Sequence, residues 1–271
     1  MAALERPDGV EIHWEERGEG PLVVIASYWS MHPSSFEPLL GELTVDHRVV
    51  TYHDRGTGAS TRRGPYDLDT SAADLEAVTE VSGADAVIVA TADGSNRAVR
   101  VAARRPDLVR AVVTIGGAPV ARPAMLGADA MVASETVVGA FLEMAATDYR
   151  SALRGIMAAT NPQLDPAGLR ERVSRQVEHA PAEAAVPRLR AWAADDATEP
   201  ARAAGDRLWF LWAPGLGGGW FPDGPDYERM IRTALPEAHL EAVDDGFISR
   251  PDQVAAVVRR ITAATPATRP A

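Results

Sequence analysis

Two hydrophobic periods alternate along this chain. Val10-Glu11-Ile12-His13-Trp14 alternates apolar and polar residues as a half-buried strand does, and Arg17-Gly18-Glu19-Gly20-Pro21 supplies a turn. Leu22-Val23-Val24-Ile25-Ala26 is a continuous apolar run that predicts a buried strand. A polar and aromatic loop follows over 27–33, then a short helix over 36–43 and a strand around 47–52. The next pattern predicts a helix through Val81, capped by Thr70 or Ser71, with Asp74 and Glu76 placed early to suit the helix dipole. A buried strand over 86–90 turns into a helix that Pro106 stops near Arg105, and an apolar strand over 108–115 ends at Gly116-Gly117. Strand, helix, strand, helix at this spacing builds a parallel sheet with helices on both faces.

From Pro123 to about Gly205 the pattern changes to an alanine-rich, helical period with no strand. Helices are expected over 135–146, 149–159, 166–178 and 182–194, with Pro162, Pro181 and Pro187 as breaks. The strand–helix pattern then resumes: a strand over 207–212, a helix over 225–235, a strand over 239–243 and a last helix from 251 to about 263. The proline-rich tail, 265–271, is expected to fray. The expected organisation is an α/β core over 1–121 and 206–271 with an all-helical cap over 122–205.

Composition narrows the chemistry. The values of 46% hydrophobic and 24% charged residues are ordinary for a globular chain, and no apolar run approaches the ~20 residues of a bilayer crossing. The start of the chain mixes acids and bases before any apolar stretch, unlike a secretory signal. Without cysteine there are no disulfides or thiolate sites. All 27 bases are arginine, so no lysine can form a Schiff base, and the net charge of −11 opposes nucleic-acid backbones. Six histidines stand without metal-ligand spacing. These features predict a cytoplasmic protein with no cofactor, no metal, and neither nucleic-acid nor membrane partners; a homodimer stays open.

The order of markers resembles the α/β-hydrolase fold family in its core-plus-helical-cap form, over roughly residues 8–263. The strand ending at Ala26 comes first, then "DRGTGAS" at 54–60, the strand-turn-helix at 86–105 with "AARRPDLVRAVV" overlapping its end, the helical insertion, and "RPDQVAAVVRRI" before the tail. In that family the sharp turn is a G-x-S-x-G nucleophile elbow, partnered by a later acid and a C-terminal histidine. The resemblance places the elbow on Ala90-Thr91-Ala92-Asp93-Gly94, with Ala92 at the nucleophile's position. The acid's place falls in Ala213-Pro214-Gly215-Leu216-Gly217, which has no carboxylate, and the histidine's place is Phe247 after Gly246. A methyl group cannot attack and a phenyl ring cannot carry a proton, so the usual triad is not expected. The family's oxyanion hole is a backbone feature, implied here at the amides of Asp93 and of Tyr28 or Trp29, backed by a helix N-terminus.

Candidate catalytic groups are therefore Asp93, His32 and Asp245, and candidate pocket residues are Ser27, Tyr28, Trp29, Ala92, Ser95, Trp220 and Phe247. Each has a plainer reading: Asp93 as a helix cap, His32 as a surface residue before proline, Ser95 packed in the first helical turn, and Asp244-Asp245 as an exposed acidic turn. The aromatic residues at the pocket mouth suggest an apolar cavity and a hydrophobic small molecule. The expected function is a non-hydrolytic enzyme assisting cyclisation, elimination or isomerisation, plausibly in natural-product biosynthesis. Two alternatives stand beside it: a binding protein or receptor without turnover, and a hydrolase with relocated catalytic residues, such as Ser95 with His32 or an aspartate near 244.

Overall fold

The computed structural model describes residues 1–28, 31–116, 128–160, 164–212, 225–244 and 250–264. Eight strands form one sheet: β1 (Ala2–Glu5), β2 (Glu11–Arg17), β3 (Leu22–Ala26), β4 (Arg48–Tyr52), β5 (Ala86–Thr91), β6 (Val109–Ile115), β7 (Leu208–Trp212) and β8 (His239–Ala242), in the order β1-β2-β4-β3-β5-β6-β7-β8. The two N-terminal strands are antiparallel to their neighbours, and all pairings from β4 to β8 are parallel. The central strands β3 and β5 are buried at every position, as continuous apolar runs inside a parallel sheet should be. β1 was not expected. Four mostly exposed residues carry too little alternation to announce a strand, and pairing with β2 defines it.

A 3-10 turn, Pro33–Phe36, leads into α1 (Glu37–Leu43). Then come α2 (Leu68–Ser82) and α3 (Asp93–Arg104). α2 starts earlier than the Thr70 or Ser71 cap predicts. Asp67 is the N-cap, its carboxylate accepting from the Thr70 N–H at 2.7 Å and the Thr70 hydroxyl at 2.8 Å, which places Thr70 inside the first turn.

Between β6 and β7 lie α4 (Ala128–Thr147), α5 (Tyr149–Thr160), α6 (Pro166–His179), α7 (Ala182–Ala193) and α8 (Thr198–Ala204). Pro187 does not break α7. Val186 and Leu189 pack in the helical cluster and Arg188 is buried beside them, which holds the helix through the missing N–H. α9 (Pro225–Ala234) and α10 (Pro251–Ala263) complete the chain order.

Alternation along the strands divides the interior. Val24, Ala26, Ile88, Ala90 and Val112 face α2, α3, α8 and α9, while Val23, Ile25, Val87, Val89 and Val113 face α1 and α10. Helices α4 to α7 bury a third cluster of their own around Phe141, Leu153, Val173 and Leu189. α8, although inside the stretch 122–205, packs Ala197, Ala201 and Ala204 on the sheet side. Among the described residues no helix is long and apolar enough to cross a membrane.

Candidate functional site

β5 delivers its chain to α3 through a single strained residue. Ala92 has φ +47° and ψ −124°, a conformation that alanine adopts only where its surroundings impose it. Gly94 explains the constraint. A Cβ there would run into the Ala26 carbonyl oxygen and lie 2.9 Å from that of Ser27, so α3 is docked against the end of β3. The backbone is thus a sharp strand-to-helix elbow whose apex carries a methyl group, with the amide of Asp93 opening the helix behind it.

Beneath the elbow lies a charge cluster the sequence reading missed. Arg97, fully buried, donates to the Tyr52 hydroxyl at 3.0 Å, to Asp54 and to the Ser27 carbonyl, and stands 3.4 Å from the Asp93 carboxylate. Arg188 reaches in from α7, 3.4 Å from Asp54, and donates to the Arg55 carbonyl at 3.0 Å. Burial opposes the charge on Asp54, but Arg97 and Arg188 outweigh it and hold the carboxyl below its usual range. For Arg97 burial is likewise the largest single influence, overcome by Asp54, Tyr52 and Asp93, which keep the guanidinium charged. Asp93 opens α3 as its first residue and is fully buried, its carboxylate 3.4 Å from the Arg97 guanidinium.

His32 is engaged as a structural element. Its Nδ1 accepts from the Ser34 N–H at 3.1 Å, capping the 3-10 turn, and its backbone N–H donates to Gln176 Oε1 at 2.8 Å. With Nδ1 occupied, the neutral ring carries its proton on Nε2 and has no acceptor nitrogen left for a substrate proton. His53 is fixed the same way, Nδ1 accepting from Ala59 N–H at 3.0 Å. His179, at the end of α6, meets both edge-on, with ring centroids 5.0 Å from His32 and 5.2 Å from His53. Burial, then His53 and His32, push the His179 imidazole down to about 3. Three neutral imidazoles therefore fill this part of the seam between core and cap. Among the described residues no cluster is arranged to hold a metal ion.

The remaining candidates divide. Ser95 is fully buried, its N–H donates to the Ala92 carbonyl at 2.9 Å, and its Oγ has no hydrogen-bond partner, an imidazole included, among the described residues. Tyr28 packs between the cluster on the α1 side of the sheet and the helical cluster, and burial pushes its phenol up to about 12, leaving it a hydroxyl donor at neutral pH. Asp244 is exposed and held by Arg250 and by Gln253 Nε2 at 2.7 Å. Trp29, Trp220, Asp245 and Phe247 lie outside the described residues.

α6 contributes what sequence reasoning overlooked. Leu169, Val173, Val177 and Ala180 pack in the helical cluster, while Arg172, Gln176 and His179, spaced i, i+4, i+7, form an adjacent polar stripe against the β3 and β4 loops. The stripe is legible as a second face beside the apolar one. Reading only for apolar periodicity passes over it.

Residues 21–161 match the family described as alpha/beta hydrolase fold. Over 117 residues the chain is 33% identical to a Caulobacter segnis protein named as a carbamate hydrolase, a stretch of 41% of this chain and 43% of that protein. It is 29% identical over 112 residues to a 2-(acetamidomethylene)succinate hydrolase of Mesorhizobium japonicum, covering 41% of this chain and 40% of the relative. The chain thus spans about two-fifths of the length of these curated relatives. An esterase from Exiguobacterium antarcticum superposes with a TM-score of 0.77 at 17% identity, covering 97% of this chain and 99% of the esterase. The relatives carry hydrolytic names, which overturns the expectation of a non-hydrolytic cyclisation, elimination or isomerisation in natural-product biosynthesis. The physical error lay in equating a missing nucleophile with missing hydrolysis, since an oxyanion cradle stabilises the addition of water as readily as it does an enolate.

Proposed function

We propose, from the premise that this chain belongs to the α/β-hydrolase fold family, that it hydrolyses a small carbonyl compound (an ester, amide or carbamate) without forming an acyl-enzyme at position 92. The observation that carries this reading is the elbow itself: φ +47° at Ala92 preserves the strained backbone with no side chain to display. That backbone presents the Asp93 amide and the first turn of α3 to a developing oxyanion. Water supplies the attacking oxygen. Its lone pair bonds to the carbonyl carbon, the oxyanion forms at the amide cradle, and collapse breaks the bond to the leaving oxygen or nitrogen, which takes a proton that the water has lost. The Tyr28 hydroxyl, kept protonated by burial, is a donor for that oxyanion or leaving group.

The test is turnover of 4-nitrophenyl acetate and a 4-nitrophenyl N-alkylcarbamate in water enriched in oxygen-18, with intact-protein mass read during turnover. Expected are release of 4-nitrophenol above the buffer rate, label in the acetate from the acetyl ester, and an unmodified protein mass. An accumulating acyl adduct overturns direct water attack, and the buffer rate for both esters overturns hydrolysis. A binding protein on the same scaffold is the second reading, favoured because His32 and His53, the histidines on the β3 and β4 loops, have Nδ1 engaged by backbone. Thermal stabilisation by a carbonyl compound that is recovered unchanged identifies that case.

A further inference from the structure

Arg172 differs from the buried arginines of the seam. Arg97 and Arg188 face Asp54, and Arg55 is held by Asp74 at 2.6 Å and Asp8 at 2.9 Å. Arg172 has no carboxylate within ion-pair distance among the described residues. Arg172 is half-buried, its guanidinium donates to the Ser35 hydroxyl at 3.3 Å, and its charge acts on the Tyr28 phenol against the larger effect of burial. One turn along the same stripe, Gln176 is 1% exposed, its Oε1 accepts from the His32 backbone N–H, and its amide NH2 has no acceptor among the described residues. The neighbouring imidazoles are neutral at pH 7, and Arg175 beyond them pairs with Glu171. In a chain of net charge −11, a guanidinium without a carboxylate partner and an amide NH2 without an acceptor, both among the described residues, share one face of one helix, and both are donors suited to an anion.

We propose that this seam binds the carboxylate of an acidic ligand, with Arg172 as the anchor and Gln176 and Ser35 as flanking hydrogen-bond partners. The inference deepens the hydrolytic reading by naming its substrate class: carbonyl compounds that bear a free carboxylate some bonds away from the reacting carbon. A planar guanidinium can take a carboxylate bidentately, and a charge-assisted pair discriminates against the neutral analogue by about 10- to 100-fold in affinity.

The experiment pairs monoethyl succinate with diethyl succinate, reading affinity by calorimetry and hydrolysis by proton NMR, in the native chain, Arg172→Gln and Arg172→Lys. Expected is tighter binding of the monoester by at least about 10-fold, loss of that preference in Arg172→Gln, partial retention in Arg172→Lys, and diester affinity within about twofold throughout. Folding of each variant is checked by its melting temperature. Equal affinities for the two esters in the native chain, or an unchanged preference in Arg172→Gln, overturn the proposal. Hydrolysis is a separate readout. Selective monoester binding without ethanol release supports the carboxylate site while defeating the hydrolytic reading, and equal binding and cleavage of both esters does the reverse.

Discussion

Behind Ala92 the sheet packs mainly on apolar side chains, Val24, Ile88, Ala90 and Val112 on one face and Val23, Val87, Val89 and Val113 on the other, with no charged group among them. Around the elbow and along the seam with the cap, the buried groups are instead Asp54, Arg97, Arg188, Gln176 and His179. The first region is specified by apolar area and shape, which many sequences satisfy. The second takes charged and polar groups out of water, which is unfavourable unless each finds its partner in a defined geometry. Stability alone would be served as well by well-packed apolar residues, so the seam's composition points to a demand for position. Its arginines tie four separate elements together: Arg97 in α3 holds the β3 loop through the Ser27 carbonyl, and Arg188 in α7 holds the β4 loop through Asp54 and the Arg55 carbonyl.

The largest effect expected from this contrast follows removal of Arg97. Arg97→Met leaves Asp54 and Asp93 buried without their shared cation, and the unfolding free energy in urea should fall by about 3–5 kcal/mol. Ile88→Val, a one-methyl deletion on the apolar side, should cost only about 1 kcal/mol. Adding Asp93→Asn to Arg97→Met should recover part of the loss, because it removes the buried charge that Arg97 offset, whereas Asp54 keeps Arg188. If Arg97→Met proves no more damaging than Ile88→Val, the seam is not held by its charges and the contrast fails.

Acid should separate the two regions next. His32, His53 and His179 all have folded-state pKa values lowered from 6.5, burial being the leading cause in each. Arg175 and His53 also lower His32 against Glu178; His13 lowers His53 against Glu15 and Asp54; and His53, His32 and Arg62 lower His179 against Asp54. The unfolded chain therefore takes up these protons first as the pH falls. Their contribution to stability is complete above pH 6.5 and declines below it, for His179 toward about 3. At pH 5 the loss from His179 alone is about 2 kcal/mol relative to pH 7.5. Urea titrations between these limits should show a shallower slope in His179→Gln and an unchanged slope in Ile88→Val. Parallel slopes in all three proteins would exclude His179 as the acid-sensitive group.

What the sequence disclosed follows the same division. The apolar runs placed β3, β5 and β6, and the final helix at Pro251–Ala263, almost residue for residue, because continuous burial leaves a continuous signature. The elbow was legible too, since small residues at 90, 92 and 94 are what close packing of strand on helix requires. The charge cluster was not. Arg97 and Asp54 are 43 residues apart and Arg188 lies a further 91 beyond Arg97, and nothing in local periodicity says that they meet. Asp67 was overlooked as the cap of α2 because Thr70 and Ser71 are capping types as well, and only the hydrogen bonds to Asp67 decide among the three. His179 and Arg172 sat inside a helix read only for its apolar spacing, and their partners come from loops about 140 residues away.

The smallest expected effect is also the one with the most telling sign. Alanine to glycine inside a helix loosens the unfolded chain more than the folded one gains, so Ala98→Gly in the middle of α3 should cost about 1 kcal/mol. At Ala92 the same change relieves a positive φ that a Cβ disfavours, by an amount of order 1–3 kcal/mol, less the entropy penalty of glycine. The net expectation is a gain of roughly 1 kcal/mol for Ala92→Gly, read from the urea midpoint at constant denaturant slope. Two identical substitutions six residues apart should thus move stability in opposite directions. Should both destabilise equally, the bend is unstrained, and alanine rather than glycine at its apex requires no pressure beyond stability. A gain at 92 means that the chain retains a costly conformation where a less strained residue is one substitution away. Strain kept in that way holds the backbone at position 93 in one orientation, which is what the proposed hydrolysis asks of the elbow.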